Sequence, residues 1–110
     1  MGNRFCVRYF KIHTDYSESE YLSHDEYVLE TLKEMYQEDD DERLSVHLTY
    51  EDALKELAKY HCSYNMTQGC TKGYGDLEIE VYIISEMVEE DGGEWYIDRD
   101  LKRAKFLFEE

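Results

Sequence analysis

Apolar side chains recur at strand or helix spacing over most of the chain, and this pattern predicts its elements. Residues 4–12 are predicted to form a strand, because apolar side chains occupy both alternating sets of positions. Residues 14–22 are polar and acidic, which is typical of a loop. One face of the predicted strand carries Phe5, Val7 and Tyr9, and the other carries largely Cys6, Phe10 and Ile12.

Two stretches with apolar residues at 3.6-residue spacing predict helices, and a capping box precedes each of them. Ser23 and Glu26 form the first box, and that helix extends to about Gln37. Thr49 and Asp52 form the second box. The apolar stripes are Val28, Leu29, Leu32, Met35 and Tyr36 in the first helix and Ala53, Leu54, Leu57, Ala58 and His61 in the second.

Further alternation predicts three more strands. Leu44, Val46 and Leu48 indicate a short strand between the two helices. Residues 62–76 contain three glycines without a period and are predicted to be a loop. Residues 77–88 are predicted to form a strand that returns, through a turn at residues 91–93, as residues 94–98. Its faces are Leu77, Ile79, Val81 and Ile83 on one side and Glu78, Glu80 and Tyr82 on the other.

The last ten residues fit two elements. Leu101, Ala104 and Phe108 lie on one side of a short helix, which we favour, while an edge strand is the alternative. The resulting order of elements is β-α-β-α-β-β-(α). It predicts an α+β fold, an antiparallel sheet with two or three helices on one face. Residues 1–110 are predicted to form a single domain, since no proline, repeat or linker interrupts them.

Composition narrows the classes of function. The 110 residues include 27 acids and 12 bases, a formal net charge of −15. This charge argues against direct contact with nucleic-acid phosphates or with an anionic membrane. No 18-residue apolar window predicts a membrane span, and the charges of Arg4, Arg8 and Lys11 interrupt any signal peptide. Three cysteines, an odd number, favour reduced thiols and a cytoplasmic protein.

No catalytic or metal-binding motif emerges, so we expect a protein that is not an enzyme and holds no metal or cofactor. His61, Cys62 and Cys70 lack a fourth zinc ligand and the paired spacing of zinc sites. Residues 69–75 are rich in glycine, but Lys72 stands at the wrong place for a phosphate-binding loop. A thiol- or metal-dependent enzyme acting through Cys70 is a third hypothesis.

The negative charge is concentrated in two blocks, residues 15–42 with a net charge of −11 and residues 76–100 with −9. In the first predicted helix, acids four residues apart line one face and repel each other by roughly 0.2–0.5 kcal/mol per pair. Such a local conflict is typical of a functional surface. The predicted partner-binding residues are Glu26, Glu30, Glu34, Glu38, Asp39, Asp40, Asp41, Glu42, Glu78 and Glu80, with Tyr27 and Tyr36 as apolar anchors.

Regularly spaced carboxylates can stand in for phosphates. A hydrated exterior that only keeps the protein in solution accounts for the same residues. In composition and charge layout, the chain resembles phage-encoded nucleic-acid mimics, including many small anti-CRISPR proteins. The resemblance implies a non-enzymatic inhibitor in the host cytoplasm. It would block the basic channel of a nucleic-acid-binding protein, such as a CRISPR effector or another host defence factor.

A second hypothesis is a small accessory or assembly protein of a mobile element. It would act through aromatic protein–protein contacts, as a homodimer or a hetero-complex, with the sheet edge near Trp95 as the contact region. The two hypotheses differ in salt dependence, because aromatic contacts survive high ionic strength and charge-based mimicry does not.

Overall fold

The computed structural model describes residues 3–17, 24–33, 41–68 and 74–109. These residues form five strands, two α-helices and a 3₁₀ turn. In chain order the elements are β1 (Arg4–Ser17), α1 (His24–Lys33), β2 (Glu42–His47), α2 (Tyr50–Leu57), β3 (Ser63–Gln68), β4 (Tyr74–Glu89), β5 (Trp95–Arg103) and the 3₁₀ turn (Leu107–Glu109).

Strand β4 organises a single antiparallel sheet with the order β2-β1-β4-β3. One edge of β4 pairs with β1 over the whole length of β1. Its other edge is divided, since β3 pairs with residues 75–80 and β5 with residues 83–89. An isolated bridge between Cys62 and Phe106 joins the ends of β3 and β5 where they meet.

The predicted α+β fold with helices on one face is wrong. The described residues are mostly strand, and they form a curled antiparallel half-barrel with two short helices. The helices lie on opposite faces of the sheet. Helix α1 reaches the face of Ile79 through the phenol of Tyr64, which lies opposite Ile79 in the register. Helix α2 contacts the other face, where the ring of Tyr50 meets Phe5.

Apolar side chains on both faces of β1 and β4 explain why each face needs a helix. On the face that we call the α1 face, the buried side chains are Cys6, Phe10, Ile12, Leu77, Ile79, Val81 and Ile83. On the opposite α2 face, Val7 and Ile84 are also fully buried. The alternation predicted for the two strands is therefore confirmed, but β1 continues to Ser17, so the loop predicted over residues 14–22 is wrong in its first four residues.

Both polar and apolar contacts hold helix α1 to the sheet. The hydroxyl of Tyr64 donates a hydrogen bond of 2.7 Å to Asp25, and Val28 is buried in the core. Burial first, and then this hydrogen bond, raise the pKa of Tyr64 to about 12. The described helix ends at Lys33, and the predicted capping residue Ser23 lies outside the described residues.

Helix α2 begins as predicted and ends early. Thr49 accepts a hydrogen bond from the backbone N–H of Asp52, which confirms the cap. The helix ends at Leu57, so Ala58 and His61 do not extend its buried stripe, and both are exposed. The chain must turn here because the backbone N–H of Cys62 bonds the carbonyl of Lys105, in the segment after β5.

Two β-bulges in β5 explain why the final stretch resembled a helix. Register shifts occur between Ile84 and Ser85 and between Glu86 and Met87 of β4, each with one extra residue in β5. A bulge breaks two-residue alternation, so Leu101 and Ala104 acquire a spacing of three within extended backbone. The favoured helix is therefore wrong, and β5 continues to Arg103.

The predicted loop over residues 62–76 is also wrong, because β3 occupies Ser63–Gln68 and β4 begins at Tyr74. Strand β3 alternates polar residues with Tyr64 and Met66, and it forms because residues 75–80 of β4 present a free edge. The predicted turn is confirmed, with Gly92 and Gly93 at φ of 108° and 89°.

A buried cation crosses the α1 face near β2. The guanidinium of Arg8 donates to Ser85 Oγ at 3.0 Å, to Asp100 Oδ1 at 2.9 Å and to Asp41 Oδ2 at 3.2 Å. It also lies 5.6 Å from the ring centre of Phe10. This network ties β1, β4 and β5 to the start of β2 and satisfies the buried charge.

Candidate functional site

Of the acids predicted to line one face of the first helix, the structure describes Glu26 and Glu30. Both are exposed. Glu30 forms an ion pair with Lys33, whose Nζ lies 3.3 Å from Glu30 Oε1. Tyr27 is half-buried against the core, so it is a packing residue as well as a candidate anchor. The other predicted residues of this block lie outside the described residues, namely Glu34, Tyr36, Glu38, Asp39 and Asp40.

Asp41 and Glu42 are neighbours in sequence but belong to different surroundings. Asp41 pairs with the buried Arg8 on the α1 face. Glu42 lies opposite Tyr9 in the register, and Tyr9 belongs to the α2 face. The structure therefore does not bring these two carboxylates together as one patch.

Glu78 and Glu80 share the α2 face, and polar partners hold both. Glu78 pairs with Lys11 at 3.2 Å and lies 3.7 Å from His13 Nδ1. Glu80 accepts hydrogen bonds from Tyr9 Oη at 2.6 Å and from Ser63 Oγ at 3.1 Å. Their charges are thus partly engaged within the sheet.

The short bond between Tyr9 and Glu80 changes the acidity of both groups. The hydrogen bond from Tyr9 lowers the pKa of Glu80 below its ordinary value. Burial first, and then the bond to Glu80, raise the pKa of Tyr9. The ring of Tyr82 lies beside this pair, at a tilt and 5.0 Å from the ring of Tyr9.

This bond predicts a pH-dependent contribution to stability. Tyr9→Phe should lower the free energy of unfolding by about 1 kcal/mol at neutral pH. A carboxyl whose pKa is lowered in the folded protein stabilises the fold at pH values above its ordinary pKa of about 4.3. A phenol whose pKa is raised in the folded protein stabilises the fold at pH values below its ordinary pKa of about 10. The difference from wild type should therefore shrink as pH falls through the lowered pKa of Glu80 or rises through the raised pKa of Tyr9. Urea unfolding across pH measures it.

Tyr50→Phe is the matched control, since its hydroxyl has no hydrogen-bond partner among the described residues. Its effect on unfolding should be small and independent of pH. A Tyr9→Phe difference that stays constant from acid to alkaline pH would contradict the assigned bond.

Among the residues that the structure describes, a dense group of exposed carboxylates lies where β4 turns into β5. We call residues 89–94 the acidic tip. The backbone N–H of Glu90 bonds the carbonyl of Glu94 at 2.7 Å, and the two glycines complete the tight turn. Four exposed carboxylates with no ion pair among the described residues surround this turn, namely Glu89, Glu90, Asp91 and Glu94.

The arginine contacts of this hairpin lie at its base rather than at its turn. The carboxylate of Glu86 accepts from Arg99 Nε at 3.0 Å and from Asn3 Nδ2 at 2.9 Å, and these contacts lower its pKa, with Asn3 as the largest cause. Arg4 lies 5.0 Å over the ring of Trp95. Residues 87–98 contain five acids and no lysine or arginine. A turn motif within an acidic run was the sequence signal that could have identified the acidic tip.

The described residues include no cluster of potential metal ligands. No group of three His, Cys, Asp or Glu side chains among them could hold a metal ion. Cys6 and Cys62 are buried, and burial raises the pKa of each thiol. Cys70 and Lys72, the candidates for a reactive thiol and its neighbouring cation, lie outside the described residues.

No known protein family, curated protein or solved structure matches this chain. Of the helices that the structure describes, neither is long and apolar enough to cross a membrane.

Proposed function

We propose that this protein is a non-enzymatic inhibitor that binds the basic channel of a nucleic-acid-binding protein. The observation that carries the proposal is the acidic tip, where four exposed carboxylates project from a two-stranded hairpin. A cationic groove that attracts phosphates by charge attracts such a tip in the same way. A CRISPR effector or another host defence factor is the class of target that the composition suggests.

An aromatic side chain next to the tip supports the proposal. Tyr96 follows the tip on β5 and is 43 % exposed. Tyrosine is enriched at binding hot spots because it adds apolar area and a polar group with little loss of conformational entropy. The exposed carboxylates of Glu26 and Glu30 on α1 add negative charge to the protein's field.

The carboxylates on the sheet contribute less to this proposal than the sequence suggested. Glu78 and Glu80 are engaged by Lys11 and Tyr9, while Asp41 is engaged by Arg8. A basic partner would have to displace these internal contacts. The contact surface is therefore best placed at the acidic tip, with Glu26 and Glu30 as further candidates.

A second function is favoured by the exposed edge of the sheet at β2. Leu44, Val46 and Leu48 are 37 %, 52 % and 68 % exposed, and β2 pairs only with β1 among the described strands. An apolar edge strand can add a strand from another chain. This observation supports an accessory or assembly protein that acts through apolar contacts, at β2 rather than near Trp95.

Reversing the charge of the tip tests the proposed inhibitor. Glu90→Lys with Asp91→Lys should weaken association with basic nucleic-acid-binding proteins by on the order of tenfold at low ionic strength. The reason is that attraction becomes repulsion at the contact. The measurement is capture from a host lysate at low and high ionic strength, with duplex DNA as competitor, followed by titration of the captured protein.

The matched control is Glu51→Lys with Asp76→Lys, two exposed positions away from the tip that change the net charge equally. This control should keep most of the affinity. Equal losses in the two variants would show that net charge alone acts. Capture that survives high ionic strength and resists DNA would favour the assembly function instead.

A further inference from the structure

A small cleft lies between the end of α2 and the end of β5, at the opposite end of β5 from the acidic tip. Its volume is about 210 Å³. That is below the 300–1,000 Å³ of drug-sized pockets but several times the volume of a water molecule. The cleft is therefore large enough for a small organic molecule.

The described residues that line the cleft include no aspartate or glutamate, although the chain has 27 acids. Four of them carry basic groups, namely His61, Lys102, Arg103 and Lys105. Lys102 and Lys105 are exposed and make no ion pair with any described residue, although Lys105, after Arg103, helps to lower the pKa of Glu109. In a chain of net charge −15, this local positive charge is suited to an anion.

The two lysines, rather than Arg103, are available to a ligand. Both terminal nitrogens of Arg103 already bond Glu109, at 2.8 and 3.2 Å, and one also bonds the carbonyl of Ala104. A guanidinium fork is the usual partner of a planar carboxylate, and this one is occupied. Lysine ammonium groups act as point charges and suit the several oxygens of a phosphate.

The interior of the cleft is apolar and well fixed. Leu57 and Ala104 are buried, and Leu54 packs against the same core. Tyr60 forms one wall, and its ring stacks on Tyr82 at 4.5 Å. A ligand would therefore bury an aromatic or aliphatic body here while its charged group meets the lysines.

Backbone hydrogen bonds hold the cationic side of the cleft in place. The N–H of Ala104 bonds the carbonyl of Tyr82 at 2.9 Å, and the carbonyl of Lys105 accepts from the N–H of Cys62 at 3.1 Å. These bonds fix the backbone between Lys102 and Lys105 against β4 and against Cys62, which directly precedes β3. A site whose backbone is already ordered loses less entropy on binding.

We propose that this cleft binds a small organic phosphate monoester, with Lys102 and Lys105 on the phosphate and the apolar wall on its organic group. The site is separate from the acidic tip and does not depend on the inhibitor function. The proposal assigns an anionic ligand to the cleft that Lys102 and Lys105 line.

The test uses phenyl phosphate as the probe, with the full-length protein followed by amide NMR and calorimetry. We expect saturable binding, with shifts confined to α2, Tyr60 and residues 102–105. Inorganic phosphate and phenol should each bind more weakly, because each lacks one half of the contact. Benzoate should also bind more weakly, because no free guanidinium fork receives it.

The site variant Lys102→Gln/Lys105→Gln should weaken phenyl phosphate binding at least roughly tenfold. The control Lys33→Gln/Lys55→Gln removes two exposed lysines that do not line the cleft and should leave binding unchanged. All four positions are exposed, so the folds should survive, and the NMR spectra confirm it.

Three results would overturn the proposal. They are no saturable binding by the wild-type protein, equal losses in the site and control variants, or benzoate binding as tightly as phenyl phosphate. None of these results bears on the acidic tip, so the proposed inhibitor function is tested separately.

Discussion

Replacing Phe106 by alanine is expected to lower the free energy of unfolding by about 3–5 kcal/mol. Phe106 is 1 % exposed and is stacked on Phe108 at 4.9 Å, with the ring of Tyr64 at its edge. It also lies at the bridge to Cys62, where β3 and β5 meet. Truncation leaves a cavity at this junction, and urea unfolding measures the loss.

Phe108→Ala is the matched control for Phe106, because it removes the same side chain from the other half of the stacked pair. Phe108 is 37 % exposed, so its truncation should cost about 1 kcal/mol. Similar losses for the two variants would contradict the assignment of Phe106 as the buried partner. Phe106→Ala should also weaken the binding of phenyl phosphate to the cleft, because the adjoining Ala104 and Lys105 lose the support of the Phe106 ring.

Asp100→Ala is expected to cost about 2 kcal/mol in the free energy of unfolding. Asp100 accepts from Arg8 at 2.9 Å and from Ser85 Oγ at 2.6 Å. Removing it leaves the guanidinium of Arg8, whose side chain is only 6 % exposed, with fewer acceptors. The cost stays below that of a fully buried pair because Asp100 is 41 % exposed and Asp41 remains in contact.

Asp98→Ala gives the control on the same strand, since Asp98 is exposed and has no ion pair among the described residues. Its effect should stay within about 0.5 kcal/mol. Asp100→Asn keeps an acceptor oxygen but loses the charge, so its loss of unfolding free energy should lie between those of Asp98→Ala and Asp100→Ala. If Asp100→Ala proved as mild as Asp98→Ala, the Arg8 network would not stabilise the fold.

The arrangement of charge gives the molecule two distinct regions. Carboxylates on the sheet are engaged by Arg8, Lys11 and Tyr9, whereas those of the acidic tip have no such partners among the described residues. Lys102 and Lys105 lie at and just beyond the far end of β5, where they line the cleft. A basic macromolecule and a small anion would therefore meet different ends of the same hairpin.

Much of the local structure was predictable from particular residues. The alternation in β1 and β4, the Thr49 cap and the Gly92–Gly93 turn are all observed. The helix favoured for Leu101 and Ala104 was wrong because bulges in β5 imitate helical spacing. Strand β3 was missed because three nearby glycines suggested a loop, whereas a free edge of β4 decided its structure.

The candidate site was predictable only in outline. Counting charges identified the two acidic blocks, but it could not tell which carboxylates are engaged. Glu80 meets Tyr9 across 71 residues of sequence, and such a distant contact leaves no local pattern. The acidic tip was accessible from sequence, since a glycine turn lies within its run of acids.

The sequence by itself determined the net charge, the strands β1 and β4 with their two apolar faces, the start of α2 and the hairpin turn. Side-chain alternation, capping and glycine conformations act over a few residues, so they are legible along the chain. Only the tertiary structure decided the partners of Arg8, which lie 33, 77 and 92 residues away, and the gathering of lysines at one cleft. Those features depend on which strands pair and in which register, and that is settled by packing across the whole sheet.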